Sequence, residues 1–150
     1  MNKPTFSLKT GELDPADFVR LIESAGWGSP NIEQAAVALR NSVEVFSVQA
    51  DGRTVGMGRL LGDGGLWYFI KDVIILPEYQ RLGAGTMLMK AIIADIGRHH
   101  PEGWSGSLEL MSAPGKENFY RKFGFITRSE LGYGEGMLLR VYGEIEERTT

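Results

Sequence analysis

The sequence predicts a single α/β domain, residues 1–150, built on a mixed sheet whose N-terminal part is largely antiparallel. Three observations carry this. Residues 73–96, VIILPEYQRLGAGTMLMKAIIADI, read as the end of an apolar strand, a Pro-marked turn, a glycine loop and a helix. Before them stand three runs rich in β-branched and aromatic residues, joined by connections only long enough for hairpins. Ahead of those, two stretches place apolar residues at helical spacing, as amphipathic covers for a sheet do. With 150 residues, 43% hydrophobic and 23% charged, the chain is long enough for one packed core. No repeat, linker or low-complexity segment divides it.

Taken in order, a short strand is expected at residues 6–8. A helix follows in which Asp14 caps, Pro15 takes the first helical position, Asp17 stands in the first turn, and Phe18, Leu21, Ile22 and Ala25 share a face before Gly26 ends it. The loop Gly26-Trp27-Gly28-Ser29-Pro30 holds a tryptophan that serves either as a plug over the helices or as a wall of an acceptor pocket. A second helix starts at Asn31, where Gln34 completes a capping-box pattern and Ile32, Ala35, Ala36 and Leu39 repeat at helical spacing. Strands are expected at residues 43–49, 54–61 and 66–76. Asp51-Gly52, a two-residue hairpin signal, separates the first two, and Gly62-Asp63-Gly64-Gly65 the second pair. The helix after Gly85 is apolar over a wide arc, through Met87, Leu88, Ala91, Ile92 and Ile96, and is expected to stop near Gly97. Past it come a strand at 107–111, a Pro114-Gly115 loop, a short helix through Lys122, a left-handed Gly124, a strand opening at Phe125 and a last strand at 137–142. Residues 144–150 are polar and are expected to fray.

The stretch at 73–96 also carries chemistry. Gly83 and Gly85 let a ligand approach the main chain, and the N–H groups of the first helical turn, at the positive end of the helix dipole, favour a phosphate. Arg81 adds a full charge. Spacing excludes two familiar phosphate loops. A Walker A loop needs Gly-Lys-Ser/Thr where Gly85-Thr86 stands, and a dinucleotide fingerprint needs a third glycine where Leu88 stands. What is present is Gln80-x-x-Gly83-x-Gly85, between Val73-Ile74-Ile75-Leu76-Pro77 and Met87-Leu88.

This pattern resembles the acetyl-CoA loop of the GNAT N-acetyltransferase superfamily. The resemblance implies that Gln80, Arg81, Leu82, Gly83, Ala84, Gly85 and Thr86 wrap the pyrophosphate of coenzyme A. It implies that Val73, Ile74 and Ile75 hydrogen-bond the pantetheine arm, and that the strands splay apart there. A second stretch, Asn118-Phe119-Tyr120-Arg121-Lys122-Phe123-Gly124-Phe125, resembles the FY-x-K-x-GF signature that follows the penultimate GNAT helix, so the likeness spans residues 70–125. In that family the tyrosine at the position of Tyr120 lies near the thioester sulfur and assists departure of the thiolate. On its own chemistry Tyr120 also reads as part of the aromatic cluster of Phe119, Phe123 and Phe125. A free tyrosine has a pKa of about 10 and a thiol about 8.5, so a hydrogen bond to the developing charge is the help it can give, short of full proton transfer. In detail the motifs look most like glucosamine-6-phosphate N-acetyltransferases and small bacterial relatives. Lys116, Gly26-Trp27-Gly28 and residues 132–137 depart from them, so fold and cofactor carry over and the sugar substrate does not.

An amine attacks only when neutral, so acetyl transfer to one needs a base or a water relay to a carboxylate. Asp72 interrupts the apolar run at 68–74 and Glu109 the run at 108–111. Such charges either form a salt bridge or reach a polar surface, or they line a site, where desolvation raises a carboxylate's affinity for a proton. Asp72 is the preferred site residue and Glu109 the alternative. Arg59, Lys71 and Arg128 offer charge for an anionic substrate group, against the commoner role of a solvated surface charge.

Other functions are excluded by composition and spacing. The chain has no cysteine, hence no thiol on which to park an acyl group, and transfer would run directly from thioester to acceptor. His99 and His100 diverge by about 100° on a helix, a poor spacing for a metal, and are read as partners of the helix C-terminus. No metal is assigned. A net charge of −3 with scattered Lys and Arg gives no footprint for nucleic acid. Without an apolar leader or a run of about 18 apolar residues, the chain is expected in the cytoplasm and off the membrane. The expected activity is acetyl-CoA-dependent N-acetyltransfer to the primary amine of a small molecule. A peptide amine is a further acceptor class, a non-catalytic acyl-CoA-binding module is the alternative, and an exposed edge after Met137 would suit a homodimer.

Overall fold

In the computed structural model, which describes residues 2–143, the chain forms nine helices and strands in the order β1 (Ser7–Thr10), α1 (Pro15–Ser24), α2 (Ile32–Arg40), β2 (Glu44–Ala50), β3 (Arg53–Gly62), β4 (Trp67–Ile75), α3 (Ala84–His99), β5 (Ser107–Leu110) and α4 (Glu117–Arg121), with a 3-10 turn at Pro77–Tyr79. The expectation for residues 144–150 lies outside the described residues. Two compact units result, one ending at Ser112 and one beginning at Ala113.

The first unit is the α/β body. Its five-stranded sheet has the order β1-β2-β3-β4-β5, antiparallel from β1 to β4 and parallel between β4 and β5. Local chemistry makes each connection. Asp51 and Gly52 both take positive φ, 50° and 73°, as a two-residue hairpin requires. In the β3–β4 connection Asp63 accepts three backbone N–H bonds, from Gly65 and Leu66 at 2.8 Å and Trp67 at 3.1 Å. Those donors, Trp67 foremost, hold its carboxyl below the usual carboxylate range. Asp14 caps α1 through Ala16 N at 2.7 Å, and Asn31 caps α2 through Glu33 N and Gln34 N at 2.9 and 3.1 Å.

Alternation along β3 sorts the helices onto two faces. A Cβ added to Gly58 would sit 3.1 Å from Ile92 Cδ1 and 3.5 Å from Leu88 Cδ2, so α3 lies on the Gly58 face. Arg59, on the opposite face, bonds Ala38 O and Ser42 Oγ at the end of α2 and lies over the Phe18 ring of α1. The core is thus filled from both sides: Leu88, Met89 and Ile92 from α3, Leu21 from α1, and Phe46, Val48, Val55 and Met57 from the strands, all with no exposed area. Each such side chain contributes about 1.5–3 kcal/mol by leaving water.

The second unit contains α4 and a half-buried ring cluster. Phe119 meets Tyr120 and Phe123 edge-on at 5.1 and 5.3 Å, and Tyr120 meets Phe125 at 6.2 Å. Gly124 takes φ 96°, the left-handed conformation expected after a helix. Arg121 grips Glu130 with two bonds of 2.9 and 3.0 Å.

Some elements differ from expectation. The strands predicted from Phe125 and at residues 137–142 do not form: both stretches are without regular structure. A β-pattern becomes a strand only when a ladder partner satisfies its N–H and C=O groups, and the five-stranded sheet takes none from these residues. Helix α3 starts at Ala84, ahead of Gly85, because Gly83 supplies the left-handed residue at its start, and it runs past Gly97 to His99. Phe119, Phe123 and Phe125 of the FY-x-K-x-GF stretch form the aromatic cluster around Tyr120 and are half-buried.

Leu88→Ala should lower stability by about 2–5 kcal/mol, since it empties a fully buried site where helix and sheet are closest. Urea denaturation measures this, with an unchanged slope expected.

Candidate active site

The site begins with an irregularity in β4. Across the β3–β4 ladder Arg59 pairs with Lys71 and Met57 with Ile74, so Gly58 alone stands opposite both Asp72 and Val73. One extra residue makes a β-bulge, which bends its strand. Asp72 sits in it at φ 55°, a conformation uncommon for a residue with a Cβ. Its Oδ2 accepts from Arg59 Nε at 2.7 Å, with the two side chains only 14% and 12% exposed. Arg59 is fixed in turn by Ala38 O and Ser42 Oγ, both at 3.3 Å, and by the Phe18 face 5.4 Å away. Neither a solvated charge nor a free anion binder, Arg59 is a tie between β3, β4 and the two N-terminal helices.

Just ahead of the bulge the β4–β5 ladder stops. Their ladder runs from Trp67 and Ser107 to Ile70 and Leu110, whereas β4 continues to Ile75. From Lys71 onward the edge of β4 on that side has no neighbouring strand in the sheet. Leu76 N donates to Val55 O at 2.8 Å, so antiparallel alternation turns the N–H and C=O of Ile75 toward the open edge. Gln80 Nε2 reaches back to Ile75 O at 2.8 Å and ties the following loop to the strand end.

That loop is held from below. Tyr79 is buried, donates to Asp51 Oδ2 at 2.6 Å and packs against Phe6 and under Arg53. Its hydroxyl is pushed above the ordinary value near 10, chiefly because Asp51 accepts its proton in a hydrogen bond. After it the chain passes through two left-handed residues, Arg81 at φ 61° and Gly83 at 96°, and enters α3. Gly83 is exposed, Ala84 is buried beneath it, and Gly85 and Thr86 are half-exposed in the first turn. No side chain caps this helix. By contrast, α1 and α2 both begin with side-chain caps. A 16-residue helix therefore presents its dipole and first-turn N–H groups at the mouth of the open strand edge.

The structure so sets Asp72, Val73, Ile74 and Ile75 in succession at the end of β4 and ties Gln80, where the stretch to Thr86 begins, to the last of them; Ile74 and Ala84 are buried. Tyr120 belongs to the second unit. There its ring neighbours bury it enough to push the hydroxyl above its ordinary value near 10, which keeps it protonated and able to donate at neutral pH. Glu109 stands on β5 opposite Phe69. Trp27 is 49% exposed and does not plug the helix pair. His99 Nδ1 lies 2.8 Å from Asp95 O, the expected place near the helix C-terminus, whereas His100 turns away to Gly65 O at 2.9 Å and stacks edge-on with Tyr68 and Trp104. Among the described residues no three His, Asp or Glu side chains gather as metal ligands.

A strand edge of this kind offers main-chain hydrogen bonds, and the uncapped helix beside it offers first-turn N–H groups and a positive dipole end. Residues 25–141 match the Acetyltransferase (GNAT) domain family, and the chain belongs to it. It is 28% identical to an uncharacterized N-acetyltransferase of Porphyra purpurea, over 83% of this chain and 71% of that one. It is 35% identical to a chloroplastic serotonin N-acetyltransferase of Oryza sativa, over 75% and 56%, and 28% identical to a histone acetyltransferase of Glycine max, over 77% and 53%. The chain thus spans about half the length of the last two. Among solved structures it superposes on a Staphylococcus aureus protein of unknown function with a TM-score of 0.81 and 26% identity, covering 91% of this chain and 100% of that one. A GNAT-family acetyltransferase of Streptococcus pneumoniae gives 0.74 and 27%, covering 91% and 98%. A GNAT acetyltransferase of Brucella melitensis, solved with acetyl-CoA, shares the fold at 0.60 and 20%, covering 82% and 84%.

Removing Arg59 leaves a largely buried carboxylate unpaired at a strained residue. Arg59→Ala should cost about 3 kcal/mol. Arg53→Ala, which breaks an ion pair about half exposed on both sides, should cost under about 1 kcal/mol. Thermal or urea unfolding of the two variants side by side measures the difference.

Proposed function

We propose that residues 1–150 act as one N-acetyltransferase domain that moves an acetyl group directly from acetyl-CoA to the primary amine of a small molecule. The observation that carries this is the glycine-started helix beside an open strand edge, in a chain whose other N-terminal helices cap themselves. A diphosphate fits there. No side-chain oxygen competes for the first-turn N–H groups, a Cβ at Gly83 would meet nothing within 4 Å, and Arg81 is exposed next to it. Gln80, Arg81, Leu82, Gly83, Ala84, Gly85 and Thr86 hold the pyrophosphate, and the main chain of Val73, Ile74 and Ile75 aligns the pantetheine arm.

The thioester supplies the acyl group, and the chain's residues manage position and protons. Tyr120 donates a hydrogen bond to the sulfur as its charge grows, since burial keeps the phenol protonated. Asp72 anchors the water that takes the proton from the amine. Its Oδ2 is engaged by Arg59, so direct proton capture at that atom would break a charge-assisted bond, while Oδ1 provides the acceptor. Glu109 is the alternative base. The serotonin acetyltransferase relative favours a small amine as acceptor, and the histone acetyltransferase relative a protein amine as the second choice. No described helix is long and apolar enough to cross a membrane. The cytoplasm and a homodimer remain part of this proposal on the sequence alone.

Calorimetric titration with acetyl-CoA should show saturable binding that the Gly83→Asp, Gly85→Asp double variant loses. Absence of binding to the folded wild type would overturn the cofactor site. Binding without product across a panel of amines and peptides would instead make the chain a non-catalytic acyl-CoA module.

Tyr120→Phe should lower kcat on the order of 10²-fold and leave acetyl-CoA affinity within about twofold. The pH profile follows from the sign of the shift. Raising the folded pKa keeps the donor protonated, so the wild-type rate should show no loss from tyrosine ionisation below about pH 10.

A further inference from the structure

We infer that the pocket between the β3–β4 connection and the α3–β5 connection binds an organic ammonium ion, a charged amine on an apolar body. Acetyl transfer makes no use of this place. Gly65, Leu66, Trp104 and Ser105 line it, all of them in the first unit, around a volume of about 390 Å³. Small-molecule sites commonly measure about 300–1,000 Å³. The pocket sits by the carboxyl end of α3, and a 16-residue helix, roughly 24 Å long, separates it from the glycine loop.

Hydrogen bonds and ring contacts fix both walls. Ser107 N donates to Leu66 O at 2.8 Å, and His100 Nε2 lies 2.9 Å from Gly65 O. The His100 ring also meets Tyr68 and Trp104 edge-on at 5.9 and 5.8 Å, which ties the indole to the start of β4. Even so, Leu66 and Trp104 stand 62% and 58% exposed. Large apolar groups held in place and left wet around a concavity form a surface for a ligand.

Charge sets the ligand's sign. A Cβ built on Gly65 would lie 3.8 Å from Asp63 Oδ1 and 4.0 Å from Trp104 Cζ3, so a carboxylate and an indole flank one point of the wall. Three N–H donors to Oδ1 keep Asp63 ionised at neutral pH. Residues 60–67 and 100–107 contain no Lys or Arg, and Glu102 adds a second exposed negative charge to the α3–β5 connection. A cation is therefore the complement. Guanidinium prefers both oxygens of a carboxylate, and Oδ1 is already taken. Metal ions ask for several oxygens, whereas Leu66 and Trp104 supply hydrocarbon. An ammonium group needs one oxygen and gains from an indole face, while its apolar body covers Leu66.

The test uses the full chain and benzyltrimethylammonium, which has no nitrogen lone pair and so cannot accept an acetyl group. Titrated into protein labelled with ¹⁵N-tryptophan, it should shift the Trp104 indole N–H signal saturably and those of Trp27 and Trp67 less. The Trp104 signal is the one lost in Trp104→Leu. Asp63→Asn keeps the Oδ1 acceptor for the three N–H groups and should raise Kd about two- to fivefold by calorimetry. Trp104→Leu keeps the bulk, removes the π-face and should raise Kd by a similar factor of about two to five. Benzyl alcohol, aromatic and uncharged, should bind more weakly than the cation. Absence of a saturable shift at Trp104, equal binding of benzyl alcohol, or an unchanged Kd in either variant with wild-type circular dichroism would each overturn the site. One variant alters the turn and the other the ring, so either decides the matter if its companion fails to fold.

Discussion

The ion pair between Arg59 and Asp72 is the contact on which the first unit's geometry turns. Without it, Asp72 would be a carboxylate out of water in a left-handed conformation, two costs with no return. With it, a bulge in β4 is fixed to β3, to the end of α2 and to the face of Phe18. The bulge in turn changes which way β4 runs just where its ladder with β5 stops. Beyond Ile70 and Leu110 the main chain of β4 on that side is left without a neighbouring strand in the sheet.

Leaving the amino end of α3 open has a cost in local sequence, which appears as glycine and as a missing cap. Asp14 and Asn31 each satisfy the amino end of their own helix. Gly83 cannot. What it gives up in helix stability against a side-chain cap, about a few tenths of a kcal/mol for glycine, is small beside the buried arc of Leu88, Met89 and Ile92, so the helix does not depend on its first turn. The same division holds beneath the loop, where the Tyr79 and Asp51 contact fixes the turn and leaves Gln80 and Arg81 at the surface.

Much of this was legible in the residues. Both N-terminal caps, the Asp51-Gly52 hairpin and the strand, loop and helix at 73–96 are short-range patterns, decided by groups a few positions apart. The GNAT family followed from two such patterns, at Gln80-x-x-Gly83-x-Gly85 and around Tyr120. What stayed hidden depends on register. Arg59 and Asp72 each interrupt an apolar strand, but only the bulge brings them together, and a one-residue insertion has no sequence signature of its own. His100 departs from the expected place at the helix C-terminus because its partner, the Gly65 carbonyl, lies in a loop distant in sequence. The two unformed strands past Phe125 show the same limit from the other side: a pattern declares a strand's faces and says nothing of who lies beside it.

Gly58 has a role larger than its size. It is the residue opposite the bulge and also the point where Ile92 and Leu88 press on the sheet, leaving a Cβ only 3.1 Å of room. One missing methyl group therefore works as a gauge block, setting the height of α3 above the strands. Since Gly83 to Thr86 stand at the amino end of the same helix, the position of that end relative to the strand edge is calibrated deep in the apolar core.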